Sequence, residues 1–235
     1  MPLFIYFLWW WGMYSSKNWF GRQLQKYRKN PRRMRRKALR FIADDYLTKT
    51  GWIDSFRSHQ AFDGEGAPIP WVTYSAVHFL ETRVRSGLKV FEYGSGNSTL
   101  WWVKHNAEVV SCEHDPEWYQ HIHNRLPSTV SYHLYELKVG HRKPYAEAIT
   151  QYKSEFQVVV IDGEDRVECG RNCVEALTDD GVIIWDNTNW EIYKPGLDFL
   201  TDQGFRRLDF YGLGPVMTAP SLTTIFYRSE NCLNI

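Results

Sequence analysis

The sequence has no apolar run long enough to span a bilayer. Its longest, LFIYFLWWWGMY over residues 3–14, has twelve residues, whereas a spanning helix needs about twenty. Nor does this run read as a secretory signal, because the charges follow it and no small-residue cleavage site closes it. The four cysteines, Cys112, Cys169, Cys173 and Cys232, form no C-x-x-C pair. That excludes a zinc knuckle or a dithiol redox motif and fits reduced thiols in the cytoplasm. Acidic residues are absent before Asp44, while eleven Lys or Arg lie between Lys17 and Arg40. Residues 41–235 reverse the balance, with seventeen basic against twenty-seven acidic groups.

Residues 1–40 therefore form an arm, apolar and then basic, suited to a polyanionic surface through screened attraction. Its three consecutive Trp beside the basic stretch fit the headgroup level of an anionic membrane, with the protein peripheral to the inner face. The competing expectation is that the arm packs on the rest of the chain or enters a contact between two copies in a homodimer. The acidic balance of the body argues against a nucleic-acid groove across it. Aromatics make up 16% of the chain, with eleven Trp, more than an ordinary core uses.

From residue 88 onward, short β-branched or aromatic runs alternate with amphipathic stretches, the pattern of βαβ units on a parallel sheet. Strands are expected at 88–93, 108–113, 130–135, 157–162 and 181–186. Helices should begin near Asn97, Asp115, Lys143 and Asp165, the second with Pro116 at its first position. The runs 205–211 and 222–227 are joined by Gly212-Leu213-Gly214-Pro215 with no room for a helix, so they must pair antiparallel. The expected fold is α/β: a Rossmann-like three-layer α/β/α sandwich on a mostly parallel seven-stranded sheet that ends in an antiparallel hairpin. Residues 41–87 read as a helical lead-in with a Gly/Pro-rich loop at 62–70 and a helix over 71–85, and 88–235 as the α/β domain.

Ligands of open α/β sheets bind beyond the carboxyl ends of strands. There, Glu92-Tyr93-Gly94-Ser95-Gly96-Asn97 turns from strand to helix. Gly94 and Gly96 would let backbone approach a ligand, and the helix-opening N–H groups of 97–99 favour an anion. A dinucleotide fingerprint wants a third glycine where Thr99 stands. Two glycines also serve a tight turn for steric reasons alone. Glu113 ends the second strand and suits the two ribose hydroxyls of an adenosine ligand. Asp162 ends the fourth strand, and Asp186-Asn187 the fifth.

The set FEYGSGNSTLWW, VVSCEHDPEWY, VVVIDGEDR and GVIIWDN, in this order and spacing, resembles motifs I, post-I, IV and V of class I S-adenosylmethionine-dependent methyltransferases, over about residues 62–228. The resemblance implies that Glu92, Gly94, Ser95, Gly96 and Asn97 line the methionine end of S-adenosylmethionine and that Glu113 holds its ribose. Asp162, Asp186 and Asn187 resemble the magnesium ligands of catechol-type and macrocin-type O-methyltransferases, and such oxygen ligands suit Mg²⁺. The alternative is that Asp162 touches cofactor while Asp186 and Asn187 shape a turn. Catechol-type enzymes carry a lysine base just after motif IV, and Gly163-Glu164-Asp165-Arg166 stands here instead. Asp165 or Glu164 then serves as base beside Asp162, or Asp165 caps the next helix. Trp101, Trp102, Trp185 and Trp190 either wall an acceptor pocket or pack in the core. The resemblance implies methyl transfer, to an oxygen of a small-molecule, glycan or lipid-linked acceptor. Against it stand a non-catalytic scaffold and an RNA methyltransferase using the basic arm, the latter without the N/D-P-P-Y/F signature of amino-group methylation.

Overall fold

The computed structural model describes residues 30–137 and 143–235. The apolar run at 3–14 and the first part of the basic arm lie outside the described residues. Contacts divide the chain into Met1–Lys49 and Thr50–Ile235. In the first unit, helix α1 (Pro31–Arg40) starts with Pro31 at its first turn, and Asn30 Oδ1 accepts a hydrogen bond from Arg33 N at 3.1 Å. Both are standard helix openings. A π-helical segment, Phe41–Leu47, continues it.

The second unit is built on a seven-stranded sheet ordered β3-β2-β1-β4-β5-β7-β6. Its strands are β1 (Lys89–Tyr93), β2 (Glu108–Glu113), β3 (Ser131–Leu134), β4 (Phe156–Ile161), β5 (Leu177–Trp185), β6 (Arg206–Gly212) and β7 (Ser221–Tyr227). The first five are parallel, whereas β7 runs antiparallel to both β5 and β6. The hairpin expected from the missing helix between the last two runs is therefore present.

Period-two alternation sorts the central strands onto two faces. Phe91, Tyr93, Val159, Ile161, Ile183 and Trp185 pack in one core layer. Val90, Val158, Val160, Val182 and Ile184 pack in the other. Because both faces are covered, these strands read as continuous apolar runs. The first layer is closed by α6 (Lys143–Ala146), α7 (Arg166–Asn172) and α8 (Lys194–Asp202). The second is closed by α3 (Tyr74–Glu81) and α4 (Asn97–Lys104). Two further helices complete the unit, α2 (Trp52–Ser58) and α5 (Pro116–His123).

Two expected boundaries shift. The helix anticipated over 71–85 is only Tyr74–Glu81, because the backbone before it is tied to the hairpin: Thr73 N donates to Thr223 Oγ1 and Tyr74 N to Leu213 O. β5 begins at Leu177, four residues early, where it pairs with Phe156 before a register shift. Strand order reverses between β1 and β4, which opens a crevice at their carboxyl ends.

Candidate active site

At that crevice lies a cleft of about 590 Å³, within the range that holds small ligands. Its floor is made by two glycines. Gly94 has φ +88°, and a Cβ there would come within 2.8 Å of Gly163 N. A Cβ on Gly163 would in turn strike the Tyr145 hydroxyl at 1.9 Å. The loops after β1 and β4 thus touch backbone to backbone, which only glycine permits. Gly96 differs: its φ of 167° is ordinary extended backbone, and an added Cβ would meet nothing nearer than Trp118 at 3.9 Å. We expect Gly94→Ala to cost about 1–3 kcal/mol of stability in chemical denaturation. Gly96→Ala should leave stability unchanged while weakening any ligand seated on the turn. Equal stability losses for both variants would reduce the turn to a purely steric device.

Glu113 forms the next wall and is nearly saturated with donors. Its Oε2 accepts from Ser95 N (3.1 Å) and Ser95 Oγ (2.9 Å), and its Oε1 from His114 N (2.7 Å) and Asp115 N (3.0 Å). His114 Nδ1 lies 2.9 Å from Oε1 and pairs with it by charge rather than along a hydrogen-bond direction. Burial alone would raise the Glu113 carboxyl, but these donors outweigh it and lower its pKa, while the carboxylate raises that of His114. The Ser95 hydroxyl has a second partner in Tyr132 Oη at 2.5 Å. A diol reaching Glu113 can therefore take its place without stranding it.

Glu92, expected at the methionine end, does not line the cleft. It is fully buried beneath the turn, where its Oε2 accepts from Thr99 Oγ1 (2.5 Å) and Ser111 Oγ (3.0 Å). The outward alternation places Tyr93 and Gly94, not Glu92, at the strand end. Burial raises its pKa from 4.5 to about 7, against hydrogen bonds from Ser98, Thr99 and Ser111 and with a further push from Asp162. A raised carboxyl stabilises the fold below its unfolded pKa, and that contribution is lost as pH rises through the folded value. Urea denaturation should show wild-type stability falling between about pH 4.5 and about pH 7 more steeply than in Glu92→Gln, by about 2–3 kcal/mol. Parallel profiles would remove the proton from Glu92.

Asn97 lines the cleft, but its side chain is committed: Nδ2 donates to Ala61 O (2.6 Å) and Oδ1 accepts from Arg125 (2.7 Å). Its backbone N–H is what remains for a ligand. Asp165 does not line the cleft either. It sits at the N-cap position of α7 with φ 49° and makes no side-chain cap bond; of the two aspartates expected to act on the acceptor, Asp162 alone lines the cleft. The side-chain cap expected of it is absent too.

The opposite wall brings Asp162, Asp186 and Asn187 together, as the sequence implied. They are not open to a metal ion, because the guanidinium of Arg166 lies among them. Nε donates to Gly163 O (2.7 Å), and Nη1 to Asp186 O (2.7 Å) and Asn187 Oδ1 (3.2 Å). Nη2 donates to Asp162 O (3.1 Å) and lies 3.2 Å from Asp162 Oδ1. Four of the five donors of the fork are thereby hydrogen-bonded, and Nη2 also faces the Asp162 carboxylate as an ion pair. Tyr193 covers the group, 5.4 Å from ring centroid to Cζ. Asp186 Oδ1 also accepts from Thr223 Oγ1 at 2.5 Å, and Asn187 Nδ2 donates to Ser221 Oγ. Among the described residues no cluster of His, Cys, Asp and Glu could hold a metal. The donor set itself, already filled by a fixed cation, does not fit Mg²⁺.

Burial raises the pKa of both Asp162 and Asp186; Arg166 opposes this at each, and the Asp162 charge pushes Asp186 further. Two carboxylates facing one cation favour holding a proton between them. Asp162 is the more accessible, with 24% of its side chain exposed.

Sequence reasoning missed Arg166 and two aromatics. Trp118 lines the cleft and donates from Nε1 to Ser95 O at 2.8 Å, and Trp71 stands at the rim with His59 and Met217. The signal for Trp118 was its position in the first turn of α5, directly after Glu113-His114-Asp115. Trp101, Trp102 and Trp185 are core residues. Trp190 is half exposed, stacked on Tyr193 outside the cleft.

No family profile and no curated protein matches this sequence. Among solved structures, the chain is similar to precorrin-6y C5,15-methyltransferase of Geobacter metallireducens, at 17% identity and TM-score 0.51, over 66% of this chain and 87% of that one. It is similar also to spermidine synthase of Thermotoga maritima, at 19% identity and TM-score 0.51, over 66% of this chain and 59% of the synthase. The shared feature is the fold: the seven-stranded sheet with a terminal antiparallel hairpin, of the class I methyltransferase type.

Proposed function

We propose that this chain binds S-adenosylmethionine across the carboxyl ends of β1 and β2 and moves its methyl group to an oxygen of a small acceptor beside Asp162. The observation that carries this reading is the placement of Glu113, a carboxylate suited to a ribose diol, in the same cleft as the Gly94–Gly96 turn and the Asp162/Asp186 pair. The turn supplies close backbone approach, and the amide groups opening α4 suit the methionine carboxylate. The cofactor, when bound, supplies a methyl group already activated on a sulfonium. The protein's tasks are then to orient, to exclude water and to take a proton. Trp71 and Trp118 shield the cleft, and Asp162 accepts the hydroxyl proton as the acceptor oxygen attacks. Arg166 keeps Asp162 and the β5 end in place without a metal ion. The acceptor in this reading is a small molecule, or the end of a glycan or lipid-linked chain.

The test is calorimetric titration with S-adenosylmethionine and, separately, NAD. One-to-one binding of the first alone supports the reading, and it justifies an acceptor screen with methyl-labelled cofactor. Absence of binding to S-adenosylmethionine overturns it in favour of a scaffold that keeps the fold without the activity.

A further inference from the structure

None of the cleft residues belongs to the first unit, whose chemistry is of another kind. Helix α1 carries Arg32, Arg33, Arg35, Arg36, Lys37 and Arg40 and no acidic residue, and none of its residues is buried. Apolar side chains of α1 and of the π-helical segment after it face outward as well: Met34, Leu39, Phe41 and Ile42 are 49%, 60%, 64% and 46% exposed. Met34, Ala38, Phe41 and Ile42 recur at i, i+4, i+7 and i+8 across the junction with the π-helical segment and so lie toward one side, while the remainder carries the cations and Leu39.

A polyanion such as RNA would engage the cations and leave this stripe in water. An anionic bilayer engages both, with phosphates meeting the guanidinium groups and acyl chains meeting Met34, Phe41 and Ile42. We propose that Pro31–Arg40, continued by Phe41 and Ile42, is an in-plane docking helix for an anionic lipid surface. No helix among the described residues is long and apolar enough to cross a membrane, so the helix lies on the surface. The inference stands apart from the methyl-transfer reading.

The experiment is co-sedimentation of the full chain with vesicles of phosphatidylcholine, with and without phosphatidylglycerol. Two variants leave residues 1–29 intact: Arg32→Gln/Arg35→Gln/Arg36→Gln/Arg40→Gln, and Met34→Ser/Phe41→Ser/Ile42→Ser. We expect binding only where phosphatidylglycerol is present, weakened about a thousand-fold in the arginine variant and about ten-fold in the apolar variant. Thermal melting should be the same for all three proteins. Three outcomes overturn the proposal: unchanged vesicle binding in both variants, equal binding to phosphatidylcholine alone, or retention on RNA without vesicle binding.

Discussion

We expect Glu113→Gln to weaken the proposed S-adenosylmethionine binding by about 100-fold, through the loss of hydrogen bonding to a charged acceptor. The substitution also turns an amide N–H toward one of the main-chain donors of Ser95, His114 or Asp115, so some stability goes with it. Affinity alone therefore does not separate ribose recognition from loop geometry. The 2′-deoxy form of the cofactor does. Wild type should favour the ribose form by about ten-fold or more, because its carboxylate accepts from the hydroxyl, and the variant should not distinguish the two. A preference that persists in the variant would assign the ribose to other groups and leave Glu113 as the brace of its own loops.

Arg166→Met removes the only cation among the described residues that touches Asp162 and Asp186, and leaves Gly163 O, Asp162 O and Asp186 O without their donors. Uncompensated buried charge makes the expected loss about 3–5 kcal/mol at pH 8. Below neutral pH the loss shrinks. Both carboxyl groups are already raised by burial, and without Arg166 they rise further. The variant thus regains stability as the pH falls and the pair takes up protons. Methyl transfer should fall with it, whereas chelators should leave wild-type turnover untouched. Urea denaturation at pH 6 and pH 8 reads the first effect. Turnover lost in chelator and restored by Mg²⁺ would return the trio to metal binding, and equal wild-type and variant stability would show the clamp to be idle.

The parts of this protein legible in its sequence are those set by local pattern. Continuous apolar runs marked the doubly covered strands, and Asp115-Pro116 marked the start of α5, where Asp115 Oδ1 accepts from Glu117 N and Trp118 N. Glu113 was legible because strand ends in this fold have one direction. Arg166 was not, although it stands four residues after Asp162. Its role exists only once β5 brings Asp186 and Asn187 beside β4, and a search for a missing lysine base passes over an arginine that acts by position. Glu92 was not legible in full for a related reason: the resemblance implies a place near the ligand, whereas side-chain alternation buries it under the turn, among hydroxyls from α4 and β2. Trp101 and Trp102 lie adjacent on a short helix, yet both are buried, since Trp101 Nε1 reaches Glu81.

The guanidinium fork between β4 and β5 also bears on inhibitor chemistry. Compounds built around a chelating head, such as a catechol or a hydroxamate, draw their affinity from a bound ion, and here that position is filled by a side chain with no donor to spare. Selective compounds for this cleft should instead present a positively charged amine to Asp162, joined to a ribose-like diol aimed at Glu113.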